Sequence, residues 1–414
     1  MNQLKLLNFH KMLANFANNL VGAFIPLIIF QATGKLTYAI IYLLCNKILR
    51  LGFNYLFKNL YGKYPQLFLL LRIIPITIYN LFIFVLDHHL IIAVIGICIF
   101  NSLDYALNNL SKEIIFNYSS LTGKSDKSLG TTRVFEQIGV IVSLVIGGYL
   151  LDINKVIVLI LSLSLYAIST IPLIIFYIKC RKQKTFNKDA TSNAITTLRK
   201  NEKYNKISKK LTKKLLFTYG IVYFSFALVD LLQTCYGLHI FMIQGEFATA
   251  GILNAIFNCF YAIGFYVASI INEKKDITRL VSVFCIIIGT SILLLFFIDI
   301  TSLFLLVCFL YGIIGFSYPF ISLFVLERML LKTRIMACSN RALFTRETSC
   351  VMAYICGYAF GFTGLLAIFI VTTITMFASS FIIPYGEEKT RKNLVDFLQN
   401  NENINNASSE GKNN

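Results

Sequence analysis

Apolar runs of about 20 residues, each able at 1.5 Å per residue to cross a ~30 Å hydrocarbon core, recur along the chain from Met12 almost to Pro384. Few folds are open to such a chain. Backbone amides in lipid need partners within the protein, which leaves bundled helices or a closed barrel. The runs are continuous rather than alternating in polarity, so helices are expected. Of the 414 residues, 57% are hydrophobic and only 14% charged, where soluble domains carry about 25%. Nothing resembling a large soluble domain is left over. The first run, Met12 to Phe30, leads straight into a second one. It therefore reads as an uncleaved span rather than a signal peptide.

Placing the spans gives 12–31, 36–58, 66–86, 89–110, 134–151 and 155–178, then 214–236, 247–271, 277–298, 302–326, 343–362 and 364–384. The connections Gln31 to Leu36, Asp87 to His89, Asp152 to Lys155, Gln233 to Glu246, Asp299 to Thr301 and Gly361 to Gly364 fall on one side, where only Lys35 and Lys155 are basic. The other side collects Lys5, Lys11, Lys58, Lys63, the segment Lys112 to Arg133, the segment Lys179 to Lys214, Lys274 to Arg279, Arg328 to Arg341 and the tail. The positive-inside bias makes that side cytoplasmic, with both termini on it and an even number of crossings. The formal net charge of +18 is thus topological, and no nucleic-acid partner is expected.

The expected architecture is all-α: a polytopic protein of about twelve transmembrane helices in two six-helix bundles. The first bundle covers 1–178, a basic cytoplasmic linker 179–213, the second bundle 214–385 and a polar, disordered tail 386–414. An internal repeat supports this division. Thr132-Arg133 opens the fifth span and Thr345-Arg346 the eleventh, and both Arg133 to Arg346 and Gly148 to Gly361 are 213 residues apart. Glu113 and Glu327 end spans four and ten at nearly the same offset.

Twelve spans in two repeated sixes, a long basic central loop and cytoplasmic termini resemble the major facilitator superfamily of secondary transporters, over residues 12–384. In the loop where that family carries a glycine and basic cluster, Asn59-Leu60-Tyr61-Gly62-Lys63 keeps the glycine and one basic residue. Asn272-Glu273-Lys274-Lys275-Asp276 is the charged counterpart between spans eight and nine. The fifth span, Gly139 through Gly147-Gly148-Tyr149, is similar to the family's glycine-rich helix. Packing accounts for its glycines, since small residues let helix backbones approach closely.

Ionisable groups at membrane depth are costly and mark candidate sites. Span two carries Lys47, Arg50, Asn54 and Lys58 on one helix face; span four carries Asn101, Asp104, Asn108 and Lys112 in the same spacing. Arg50 and Asp104 fall at similar depths. The stripe reads either as the wall of a water-filled cavity or as a buried ion pair locking the two spans. In the first case Asp104 carries a proton or cation, or Lys47 and Arg50 meet an anionic substrate. Asp230 in span seven, near Tyr223 and Gln233, has no basic neighbour in sequence. It reads as a protonation switch or as a wet group at the outer mouth. Asn18 and Asn19 in span one face a cavity or serve polar packing. Arg133 with Glu136, and Arg346 with Glu347, end spans five and eleven. The resemblance implies that such charges latch the two bundles on the cytoplasmic side, and snorkelling to the interface is the alternative. Pro26, Pro75, Pro172 and Pro319 lie within spans and are expected to kink them.

Transport of a small-molecule substrate by alternating access across the cell membrane, driven by a proton or solute gradient, is the function expected, with the chain acting as a monomer in the lipid bilayer. A non-transporting sensor or a lipid flippase on the same scaffold is the alternative. A membrane-embedded enzyme is less favoured, because His10, His88, His89 and His239 are scattered without clustered Asp, Glu or Cys partners. No Walker-type phosphate loop is present. The ten cysteines form no CxxC pairs and no ligand spacing with His, so neither a metal nor any other cofactor is expected.

Overall fold

A computed structural model of the chain describes residues 3–57, 70–121, 125–182, 202–272, 278–298, 302–323, 348–356 and 369–382, with the single positions 359 and 367. All of its regular structure there is helical, with no strand among the described residues. Helices α1 (Gln3–Gly22) and α2 (Ile25–Thr33) form the first span. Spans two to six are α3 (Leu36–Phe57), α4 (Ile73–Val85), α5 (Leu90–Leu121), α6 (Ser125–Ile153) and α7 (Lys155–Lys182). Spans seven to ten are α8 (Glu202–Gln244), α9 (Phe247–Asn272), α10 (Thr278–Phe297) and α11 (Phe304–Leu323). The last two are α12 (348–356) and α13 (Phe369–Ile382). Seven of these helical stretches are long and apolar enough to cross a membrane, and four shorter apolar helices accompany them. The chain is a polytopic all-α protein.

Proline and glycine set the breaks. Pro26 has no N–H for the carbonyl of Gly22, and the first span turns at Ala23 and Phe24 before α2 resumes. Pro75 leaves the carbonyl of Leu71 without its donor, and Arg72 stands in the resulting turn. Gly34 ends α2 at φ +64° and donates its N–H to the Phe30 carbonyl at 2.7 Å; Gly245 ends α8 at φ +75° on Phe241 at 2.8 Å. Both need the left-handed region open to glycine.

The helices extend further than expected. The segment Lys112 to Arg133, expected as a loop, is mostly the ends of α5 and α6. Span seven, expected over 214–236, is an apolar stretch over Tyr223–Gln244, and the connection expected from Gln233 to Glu246 shrinks to Gly245-Glu246. The apolar run continues past Tyr236 to Gln244. Of the expected linker, residues 183–201 lie outside the described residues, as does the tail.

Both halves pack in one pattern. Spans three and four pair, as do nine and ten; spans two and four touch, as do eight and ten. One apolar core lies chiefly in the second half, and the core of the first half runs across into Leu238, Phe241, Phe247, Ala250 and Ala255 of the second. Between halves the principal seam is α6 against α9, with α2 touching α8. Glycines allow the α6 contacts: a methyl at Gly147 would lie 2.7 Å from the Leu20 carbonyl of α1, and one at Gly148 would lie 2.8 Å from the Phe247 carbonyl of α9. Gly251 of α9 abuts Leu144 in return. At Gly52, by contrast, nothing lies within 4 Å. Gly148→Val should therefore lower the thermal midpoint of the purified protein, at a cost of about 1–3 kcal/mol for overpacking. Gly52→Ala should hold or raise it. Size-exclusion recovery after heating reads both, and equal midpoints would contradict the α6–α9 contact.

Candidate functional site

Three sets of charged side chains stand among the helices of the described residues, and they differ in what they join. The first is Arg72 with Asp104. Arg72 leaves the turn ahead of α4 and donates from Nε to Oδ1 at 2.7 Å and from Nη2 to Oδ2 at 3.1 Å, a bidentate pair with both side chains buried. Its Nη1 donates to Asn108 Oδ1 at 2.9 Å, and its guanidinium lies 5.7 Å from the Tyr166 ring of α7. The second is Lys11 of α1 with Glu136 of α6, also buried. Next to Lys11, His10 Nδ1 meets the Ser169 carbonyl of α7 at 2.6 Å. Both sets lie inside the first half and tie α4 to α5 and α1 to α6.

The third set crosses between the halves. Lys47 and Arg50 sit one turn apart on α3, each partly accessible. The Lys47 ammonium lies 4.6 Å from the Tyr354 ring of α12, in the second half. The Arg50 guanidinium lies 3.8 Å from the Tyr105 ring of α5, within the first. Opposite them is Asp230 of α8. Both cations act electrostatically on its carboxylate, and the Tyr318 hydroxyl of α11 donates a hydrogen bond to it. Asp230 is solvent-accessible. At 1.5 Å per residue it is roughly 20 Å from the Gln244 end of α8. It is an interior group, and the outer-mouth placement does not hold.

The other expected residues fall as follows. Asp104 does not pair with Arg50; both its oxygens go to Arg72, which approaches from the adjoining helix with its fork aligned. Asp230 does have basic neighbours, supplied by a helix distant in sequence. Asn18 accepts a 2.6 Å hydrogen bond from the Tyr79 hydroxyl, and Asn19 donates to the Asn15 carbonyl. Gln233 donates to Asn254 at 3.0 Å and lines a small pocket inside the second half with Tyr236, Phe257 and Tyr311. Glu136 pairs with Lys11 within its own half. The side chain of Arg133, and Arg346 and Glu347 entirely, lie outside the described residues.

Three contributors escaped the sequence reading. Arg72 lies inside the expected third span, and the rule that flagged Asp104 applies to it equally. Lys11 was counted as a loop charge. Asp152, assigned to a short connection, spans the halves: its Oδ1 accepts the Phe247 N–H and its Oδ2 the Ala248 N–H, each at 2.9 Å, at the first turn of α9. A carboxylate there satisfies two unpaired amides and complements the helix dipole.

Two outcomes follow. Arg72→Leu or Asp104→Leu alone leaves a buried charge and should destabilise by about 3–5 kcal/mol, whereas the double replacement restores most of it. Equal losses in all three variants, read as thermal midpoints, would contradict the pairing. Asp152→Ala should lengthen the distance between spin labels at Ile153 and Gln244 in a cysteine-free background, measured by pulsed electron resonance; an unchanged distribution would remove Asp152 as a latch.

Residues 124–336 match the family model described as PUCC protein. No curated protein matches the chain in sequence. Solved structures do match in fold. A bacterial homologue of the iron transporter ferroportin, in an outward-facing crystal structure, superposes with a TM-score of 0.63 at 14% identity, covering 94% of this chain and 100% of that one. A POT family transporter in complex with a thioalcohol-conjugated peptide gives 0.60 at 13% identity, covering 94% and 96%. Both have the fold of the major facilitator superfamily.

Proposed function

The chain belongs to the PUCC protein family, and from that premise we propose that it is a secondary active transporter that carries a small solute by alternating access, coupled to a proton or solute gradient. The observation that carries this reading is the set of opposite charges that act on one another across the two halves: Lys47 and Arg50 on one side, Asp230 and its partner Tyr318 on the other. Rocking of one half against the other separates these groups, so whatever neutralises them in each state is coupled to the motion. The buried pairs Lys11–Glu136 and Arg72–Asp104 lie within one half and move with it. Asp104, held by two bonds from Arg72, is thereby a poor proton carrier, and Asp230 takes that role. The transporters that share the fold support the class of function. Those two proteins differ in what they handle, iron in one and a conjugated peptide in the other, so the shared fold assigns no cargo.

The membrane in this reading is the cell membrane, with the basic loops and both ends of the chain on the cytoplasmic side. Protein in proteoliposomes, given fractionated small-molecule extract under an imposed pH gradient, should show solute-dependent proton flux with a pH-sensitive dye. Asp230→Asn should abolish gradient-driven accumulation and spare exchange of labelled solute between the two sides. Flux that Asp230→Asn leaves intact would remove Asp230 as the carrier. Lipid movement without flux of any solute would replace transport by flipping.

A further inference from the structure

We propose that Lys47 and Arg50 form the binding site for a singly charged anionic group of the solute, a carboxylate or phosphate, and that Asp230 is the group this anion displaces. The proposal rests on the transport reading of the same seam and adds to it the class of cargo.

Charge comes first. Among the described residues the two buried pairs of the first half are each neutral. Among the described residues the seam holds two cations, Lys47 and Arg50, against one acid, Asp230. One positive charge is left over at membrane depth, where unneutralised charge is most costly. A single negative charge supplied from outside cancels it.

Hydrogen bonding comes second. Arg50 Nε is buried and has no acceptor among the described residues, and one turn earlier Asn46 Nδ2 is in the same condition. Positions 46 and 50 share a face of α3. A guanidinium presents its donors as a planar fork that fits two oxygens of one carboxylate or phosphate, and the amide of Asn46 adds another donor. Unsatisfied donors beside an excess cation are what an oxyanion takes up.

Third, the cations are held without being consumed. Arg50 rests on the Tyr105 ring at 3.8 Å and Lys47 on the Tyr354 ring at 4.6 Å. A ring face steadies a cation but leaves its N–H groups free for an anion, which a carboxylate partner would not. Arg72 shows the other case, its fork filled by Asp104 and Asn108. Asp230 reaches the seam cations across the gap, so an arriving anion and Asp230 compete for the same charge.

The test uses the full chain in phosphatidylcholine nanodiscs and reads thermal midpoints against concentrations of inorganic phosphate, methylphosphonate, acetate and benzoate. Benzamide and benzylamine serve as neutral and cationic counterparts of benzoate. At least one anion should stabilise the protein, while benzamide and benzylamine should not. Arg50→Gln should weaken the response by about tenfold or more, and Arg50→Lys by less, as expected on losing a bidentate contact. Asp230→Asn should strengthen it severalfold by removing the competitor, an effect that simple loss of structure cannot mimic. Lys47→Gln serves where Arg50→Gln fails to fold. No response to any of the four anions, an equal response to benzamide, or weaker binding by Asp230→Asn overturns the proposal. Repetition in phosphatidylglycerol nanodiscs separates the sources of the anion: stabilisation by that lipid alone assigns the site to a headgroup and overturns a dissolved cargo. Proton flux driven by a neutral or cationic solute would remove the anion site and leave transport standing; anion binding without flux would do the reverse.

Discussion

A charge that stays inside a hydrocarbon slab must be neutralised by something the protein holds, and that requirement organises the helices of this chain. Taking an ion out of water costs several kcal/mol even after relaxation, so each buried charge draws a partner of opposite sign. Where both partners belong to one half, the bond is permanent through any motion of the halves. Arg72–Asp104 and Lys11–Glu136 are of this kind, and they tie span three to four and span one to five. The first half is therefore a body with two charged cross-braces. Where the partners belong to different halves, as with Lys47, Arg50 and Asp230, neutralisation depends on the relative position of those halves. The same physical demand yields structure in one place and, in the proposed transport cycle, a switch in another.

The seam between the halves has its own division of labour. Backbone contact at Gly148 and Gly251, and the hold of Asp152 on the first amides of α9, bring α6 and α9 together near the short connections. Phe24 and Phe30 of the first span meet Phe247 and Phe241 at ring distances of 6.1 and 6.3 Å. Small residues and aromatic edges slide and repack at modest cost, whereas a bidentate buried pair does not. A contact of this composition suits a surface that must open and close.

The spans, their approximate limits and the repeat were legible because each follows from local composition: an apolar run, a proline, a glycine, a cluster of lysines. Asp104 and Asp230 were legible as groups too polar for their depth. Their partners were not. Spacing along α3 and α5 put Arg50 near Asp104, but spacing cannot say which of two neighbouring helices offers the better aligned fork, and Arg72 does. Asp230 looked isolated because its cations come from the other half of the chain. Span seven extends later than the sequence places it, and the early placement is what keeps the outer mouth open as one of two readings of Asp230.

The second half anchors its share of the switch by other means. Tyr318, which donates to Asp230, is wedged by Phe226 at 4.3 Å, Tyr261 at 5.8 Å and Phe257 at 6.4 Å, all within that half. Directly after it Pro319 deprives the Gly315 carbonyl of its helical donor, while Gly315 itself abuts the backbone of Phe257. The hydroxyl that orients Asp230 is thus fixed to its own half by a rigid aromatic wall, as Tyr105 fixes Arg50 to the first. In the proposed motion the bonds inside each wall persist as the halves part, and the attraction between Asp230 and the cations is stretched. Lys47 is the exception, since its ring partner Tyr354 lies on the far side. In the proposed cycle it exchanges that ring for another neutralising contact, which makes Lys47 the residue that answers most directly to what the gap admits.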